Sequence, residues 1–274
     1  MSSEAQFADA TFTDSLFGLT ERTERSADAA LEARRLVIAF VGMAFEARIA
    51  AGPGVLVFAR NARRELAATV VSAARQGYRG IISFGVAGGL AAHLRTGDWV
   101  VASSVVEAQG PIPTDAGWSR RLLDAIGNAH HGPILGVDTP VAEPETKRQL
   151  HRSSGAAAVD MESHIVARLA AAHGLAFTAL RVIVDPVERA IPPAALVGMG
   201  PNACADTRAI LRELIAQPRQ LPLLARVTWD AFIARSQMQR VRGLLGAHFG
   251  LLDLPSTAAA VEELAPALSP IAPA

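Results

Sequence analysis

The sequence predicts an α/β fold built on a largely parallel, buried sheet. Three observations point there. Short apolar runs alternate with segments of helical period. Several of the runs, such as Leu36 to Val41, are apolar without interruption, as strands covered on both faces are. Acidic residues and glycines fall just after the runs, where such sheets gather their ligands.

Taken in order, Leu36 to Val41 and Val55 to Phe58 read as strands. Arg63 to Gln76 has helical spacing at Leu66, Val70, Ala73 and Ala74 and stops at Gly77. Gly80 to Phe84 is a strand running into the glycine cluster Gly85-Val86-Ala87-Gly88-Gly89. Trp99 to Val106 follows the turn Thr96-Gly97-Asp98 as a strand, then Ala116 to Ile126 as a helix. Ile134 to Val137, Ala156 to Val159 and Phe177 to Val184 read as strands. Glu143 to His151, Met161 to His173 and Cys204 to Ala216 read as helices. Pro222 to Arg235 and Gln237 to Phe249 look like two more. Residues 1–34 are polar and without sustained period and are expected to form a poorly ordered arm. Residues 35–254 are expected to form one domain that includes the C-terminal helices from about 221, and the Ala/Pro-rich residues 255–274 a disordered tail.

Composition narrows the function. Lys+Arg and Asp+Glu are both 26, so no basic face for nucleic acid is demanded. No apolar run approaches the ~20 residues of a membrane helix, and the N-terminus is not built like a signal peptide. The expected location is cytoplasmic. The single Cys204 has no internal disulfide partner, and the seven histidines form no metal pattern.

Four features carry chemistry. The glycine cluster is not a dinucleotide or phosphate-loop fingerprint, and by itself reads as a tight strand-to-helix turn. Asp185 ends an apolar strand, where desolvation raises a carboxyl pKa and suits it to donate a proton; the plainer reading is a turn before Pro186. Glu162 opens a helix, where it either serves the free N–H groups or accepts from vicinal hydroxyls; Asp160 is the alternative cap. Glu46 follows the first strand, as an exposed helix residue or as a base for water.

Together these pieces resemble the purine nucleoside phosphorylase / 5′-methylthioadenosine–S-adenosylhomocysteine nucleosidase superfamily. Ser83-Phe84-Gly85-Val86-Ala87-Gly88-Gly89-Leu90 with Gly97-Asp98-Trp99-Val100-Val101 looks like its glycine motif. Val159-Asp160-Met161-Glu162-Ser163 looks like its ribose motif, and Arg181-Val182-Ile183-Val184-Asp185 like its Arg-x-Ile-Ser-Asp motif. Glu162 and Asp185 are 23 positions apart, as in the nucleosidases. The segments Gly136-Val137-Asp138-Thr139-Pro140-Val141 and Ile191-Pro192-Pro193-Ala194-Ala195-Leu196 are most similar to the hopanoid-associated phosphorylase branch, which is associated with removing adenine from adenosylhopane.

The resemblance implies a three-layer fold, a central mixed, largely parallel sheet flanked by helices. It implies Asp185 as the acid at adenine N7 and Glu46 as the residue that positions water. Glu162 and Met161 would bind the sugar hydroxyls, Arg181 would lie near the nucleophile, and Gly85, Val86, Ala87 and Gly88 would line the site. The backbone of Val141 would meet the adenine edge. No cofactor or metal is implied, with phosphate as the one co-substrate admitted. The implied partner is a small or lipid-linked adenine nucleoside, in a homo-oligomer; apart from the resemblance, Trp229, Arg235, Arg240 and Arg242 of the C-terminal helices would also suit peripheral contact with the inner membrane. Val86 and Val184 stand where the nucleosidase pattern has Ser/Thr. Glu46 favours water and the branch's name favours phosphate, so the nucleophile stays open at this level.

Overall fold

Val37–Val41 (β1) is buried along its whole length, and its five apolar side chains serve two cores. Ile38 and Phe40 join the core on one side, Val37, Ala39 and Val41 the core on the other. This is the two-residue period of a strand with helices on both faces. A computed structural model describes residues 37–59, 67, 68, 70–72, 75, 78–198, 207–246 and 248–251. The arm and tail expected at 1–34 and 255–274, Cys204, and much of the helix expected from Arg63 to Gln76 lie outside the described residues. The described positions of that helix are helical.

Seven further strands complete one mixed sheet: Val55–Ala59 (β2), Gly80–Gly89 (β3), Trp99–Glu107 (β4), Gly110–Pro113 (β5), His130–Gly136 (β6), Ala158–Asp160 (β7) and Ala176–Asp185 (β8). The order runs β2-β1-β3-β7-β6-β4-β5, and β8 pairs with both β3 and β4. Pairs β1/β2, β1/β3, β3/β8, β4/β6 and β6/β7 are parallel; β3/β7, β4/β5 and β4/β8 are antiparallel. Strands β3, β8, β4, β6 and β7 therefore pair in a closed ring, shut where Gly88 and Gly89 meet Val159 and Ala158. Closure brings the ends of β3, β7 and β8 side by side.

The helices are Ala44–Ala50 (α1), Ala116–Ile126 (α2), Pro144–Ser154 (α3), Ser163–Ala172 (α4), Pro193–Gly198 (α5), Thr207–Ala216 (α6) and Leu221–Leu244 (α7). Helix α4 covers one sheet face with Val166, Ala167 and Ala170. Helices α2 and α7 cover the other, with Trp118, Leu122, Met238 and Val241. That is the three-layer arrangement expected.

Four local expectations need correcting. The glycine cluster is no strand-to-helix turn: β3 continues through it to Gly89, because β8 and β7 pair with its backbone. The two expected C-terminal helices are one, α7, since Ser236 and Gln237 carry no break and Met238 and Val241 keep packing. The strand expected from Ile134 to Val137 starts earlier, at His130, and runs to Gly136 as β6. The short hairpin strand β5 carried no apolar signal and was not expected; its Pro111 and Pro113 fit an edge.

Candidate active site

Glu46 sits in the first turn of α1 and turns back on its own N-terminus. One carboxylate oxygen accepts from the N–H groups of Gly42 (2.7 Å) and Met43 (2.8 Å). The other accepts from the N–H of Val86 in β3, at 2.8 Å. The side chain is buried. Burial raises its pKa to about 7, against the opposing pull of Arg181 and the N–H donors. The chain can pass here only as glycine: a Cβ on Gly85 would lie 2.5 Å from Glu46 Oε1 and 2.6 Å from Arg181 Nη1.

Arg181 points inward from β8 and is fully buried. Its Nε donates to Asp160 (2.6 Å) and its Nη2 to the hydroxyls of Ser83 (2.5 Å) and Ser163 (3.2 Å). The same Nη2 is 3.8 Å from a carboxylate oxygen of Glu162. Asp160 also accepts from the N–H groups of Glu162 (3.2 Å) and Ser163 (2.9 Å). It therefore does the capping that the sequence left open between it and Glu162. The Glu162 carboxylate instead lies against Gly42, where a Cβ would stand 3.2 Å from Oε1.

Asp185 ends β8 and is buried beside Lys147 of α3. Lys147 Nζ donates to Asp185 Oδ2 at 2.6 Å and to the backbone oxygens of Asp185, Pro186 and Arg189 at 3.1, 3.2 and 2.9 Å. Burial pushes the Asp185 pKa above its ordinary value, and the Lys147 charge opposes the shift. Nothing in the polar sequence of α3 marks Lys147, which reads as solvated until the fold buries it.

These groups meet in one cavity of about 380 Å³. Glu46, Val86, Ala87, Gly88, Val141, Met161, Glu162 and Asp185 all line it. Two of the expected site residues, Gly85 and Arg181, do not: they stand one layer behind, where they fix Glu46 and Asp160. An apolar wall completes the lining: Ile191 and Ala195 come from the segment Ile191 to Leu196 quoted above, and Ile210, Leu224, Val227 and Ala231 from outside the motifs. The lining thus combines four acidic residues, Glu46, Asp160, Glu162 and Asp185, with a wall of hydrocarbon. Among the described residues no group of His, Cys, Asp and Glu is arranged to hold a metal ion.

A cavity lined by four buried acidic side chains at the ends of β3, β7 and β8 fits the phosphorylase and nucleosidase motifs read in the sequence. The family comparison agrees: residues 61–216 match the model of the phosphorylase superfamily, and the chain belongs to it. It is thus a nucleosidase or nucleoside phosphorylase, cleaving the N-glycosidic bond of a nucleoside. A search of curated proteins finds no match. Among solved structures the chain is similar to the futalosine hydrolase of Helicobacter pylori, with 16% identity and a TM-score of 0.53 over 78% of this chain and 97% of that one. It is also similar to the 5′-methylthioadenosine/S-adenosylhomocysteine nucleosidase of the same organism, with 17% identity and a TM-score of 0.51 over 76% and 97%. These likenesses speak for the fold.

Proposed function

We propose that the protein hydrolyses an adenine nucleoside whose ribose carries a large apolar group, releasing adenine from adenosylhopane to leave ribosylhopane in hopanoid biosynthesis. The observation that carries this reading is the lining of the cavity, which joins four acidic residues to an apolar wall. Ribosyl C–N cleavage builds positive charge on the sugar, and a neutral purine leaves more readily than an anion. Asp185 protonates N7 as the bond breaks. Glu162 and Met161 hold the 2′ and 3′ hydroxyls, and the Val141 backbone meets the adenine edge. Glu46 takes a proton from the water that attacks C1′. The new C–O bond replaces the C–N bond, and solvent returns the proton from Glu46 to Asp185.

Water is favoured over phosphate on two grounds. The N–H groups of Gly42, Met43 and Val86, which would cradle an anion, already donate to Glu46. Among the described lining residues there is no Lys, Arg or His to neutralise a phosphate. A lipid tail is favoured because a short thioether would leave the wall of Leu224 and Val227 uncovered. Work at the cytoplasmic face of the inner membrane, as a homo-oligomer, belongs to the same reading.

The test is the mass of the products from adenosylhopane, methylthioadenosine and adenosylhomocysteine, each with and without phosphate. Adenine plus ribosylhopane, formed at a rate indifferent to phosphate, is expected. A sugar phosphate would overturn hydrolysis, and preference for methylthioadenosine would make this a general nucleosidase. No adenine from any of the three would leave a nucleoside-binding relative without catalysis.

A further inference from the structure

We propose that the outer face of α7, a helix that also contributes to the cavity wall, docks the protein on an anionic lipid bilayer. The proposal rests on the preceding reading only for what the bilayer supplies, and its physical basis is separate. Leu221, Trp229 and Phe232 fall at i, i+8 and i+11 of one helix, on one stripe. They are 54%, 63% and 62% exposed, and the two aromatic rings stack with centroids 5.8 Å apart. Stacked exposed aromatics of this size on a helix that also packs on the core are not spare core residues.

The stripe carries charge of one sign. Arg226, Arg235 and Arg240 are exposed on the same helix. The one acid of α7, Asp230, is buried and paired with Arg189. Residues 207–246 hold seven arginines against Glu213 and Asp230, in a chain whose total charge is zero. A second copy meeting this face through a two-fold axis would set arginine against arginine. Anionic headgroups meet the arginines, and the headgroup region is where amphipathic aromatic rings settle. Leu224, Val227 and Ala231 of the same helix line the cavity. The helix that would meet the bilayer therefore also contributes to the cavity wall. No helix among the described residues is long and apolar enough to cross a membrane, so the contact is peripheral.

The test uses the full chain with vesicles of phosphatidylcholine alone and vesicles containing phosphatidylglycerol. Binding is read by co-sedimentation and by tryptophan emission; Trp99 and Trp118 are buried, so a change reports Trp229. Binding to the anionic vesicles alone is expected, with a blue shift and with weakening by salt. The triple variant R226E/R235E/R240E and the double variant W229S/F232S should each lose about tenfold or more in vesicle affinity. W229S/F232S should still release adenine from a short, soluble nucleoside at the native rate, since neither side chain lines the cavity. Equal binding to both vesicle types, or native binding by either variant, would overturn the proposal. So would light scattering that shows W229S/F232S splitting an assembly into monomers, because the face would then belong to a second copy. Vesicle binding without adenine release would sink the enzymatic reading and leave this one standing; release without vesicle binding would do the reverse.

Discussion

Asp185 and Glu46 are two buried carboxyls to which the proposed mechanism gives opposite tasks. On that mechanism, Asp185→Asn keeps the shape but cannot protonate the leaving base. We expect its kcat with adenine nucleosides to fall by about 10²–10⁴-fold with little change in binding; unchanged turnover in a steady-state assay would refute the acid role. Lys147 holds that acid from behind. Removing its charge in Lys147→Met leaves burial unopposed, so the Asp185 pKa rises further and the alkaline limb of the pH–rate profile moves to higher pH. A limb that stays put would mean Lys147 is only a strut. Glu46 has a pKa of about 7 against an ordinary 4.5. The folded state therefore favours the neutral form. The stability tied to that form is complete below 4.5 and is lost as pH rises through 7, roughly 3 kcal/mol in all. Glu46→Gln does not titrate, so its melting temperature should improve relative to the native chain between about pH 5 and pH 8. Its activity should be low at every pH, whereas native kcat/KM should climb through about pH 7. A difference in melting temperature that is constant with pH would contradict the raised pKa.

Strand β3 is the element on which the site depends. It pairs with β1, β8 and β7, and its backbone runs between Glu46 and Arg181 with no room for a Cβ at Gly85. Gly85→Ala should cost about 1–3 kcal/mol in unfolding free energy, as overpacking does. It should also cut turnover, because the group that must give way is the Glu46 carboxylate. Denaturant midpoints and kcat measured together check both; a variant stable and fully active would show that Glu46 does not need its seat on Val86. Helix α7 has a divided role. Met238 and Val241 belong to the core while Leu224 and Val227 face the cavity. Deleting it would unmake the fold, so its part in substrate choice has to be probed by point substitution.

At the scale of the molecule, the site exists because the sheet closes on itself and sets the ends of β3, β7 and β8 around one cavity. A ligand that fills it binds the folded chain alone and stabilises it by mass action, about 2.7 kcal/mol at a hundred times its Kd. A non-hydrolysable adenine nucleoside analogue should therefore raise the melting temperature, and inorganic phosphate should not. A clear rise with phosphate alone would reopen phosphorolysis.

The sequence by itself determined the layer class, because strand and helix periods are local, and it picked out Asp185, Glu162, Glu46 and the glycine run, because those residues stand in ordered motifs. It could not see that β3 runs on through its glycines, since the pairing that keeps it extended comes from β7 and β8, remote in the chain. Nor could it place Arg181 behind the cavity, bury Lys147 against Asp185, or bring Leu224 and Val227 to the wall. Each of those depends on which distant segment supplies the neighbour, and burial, charge pairing and cavity shape are properties of neighbours in space.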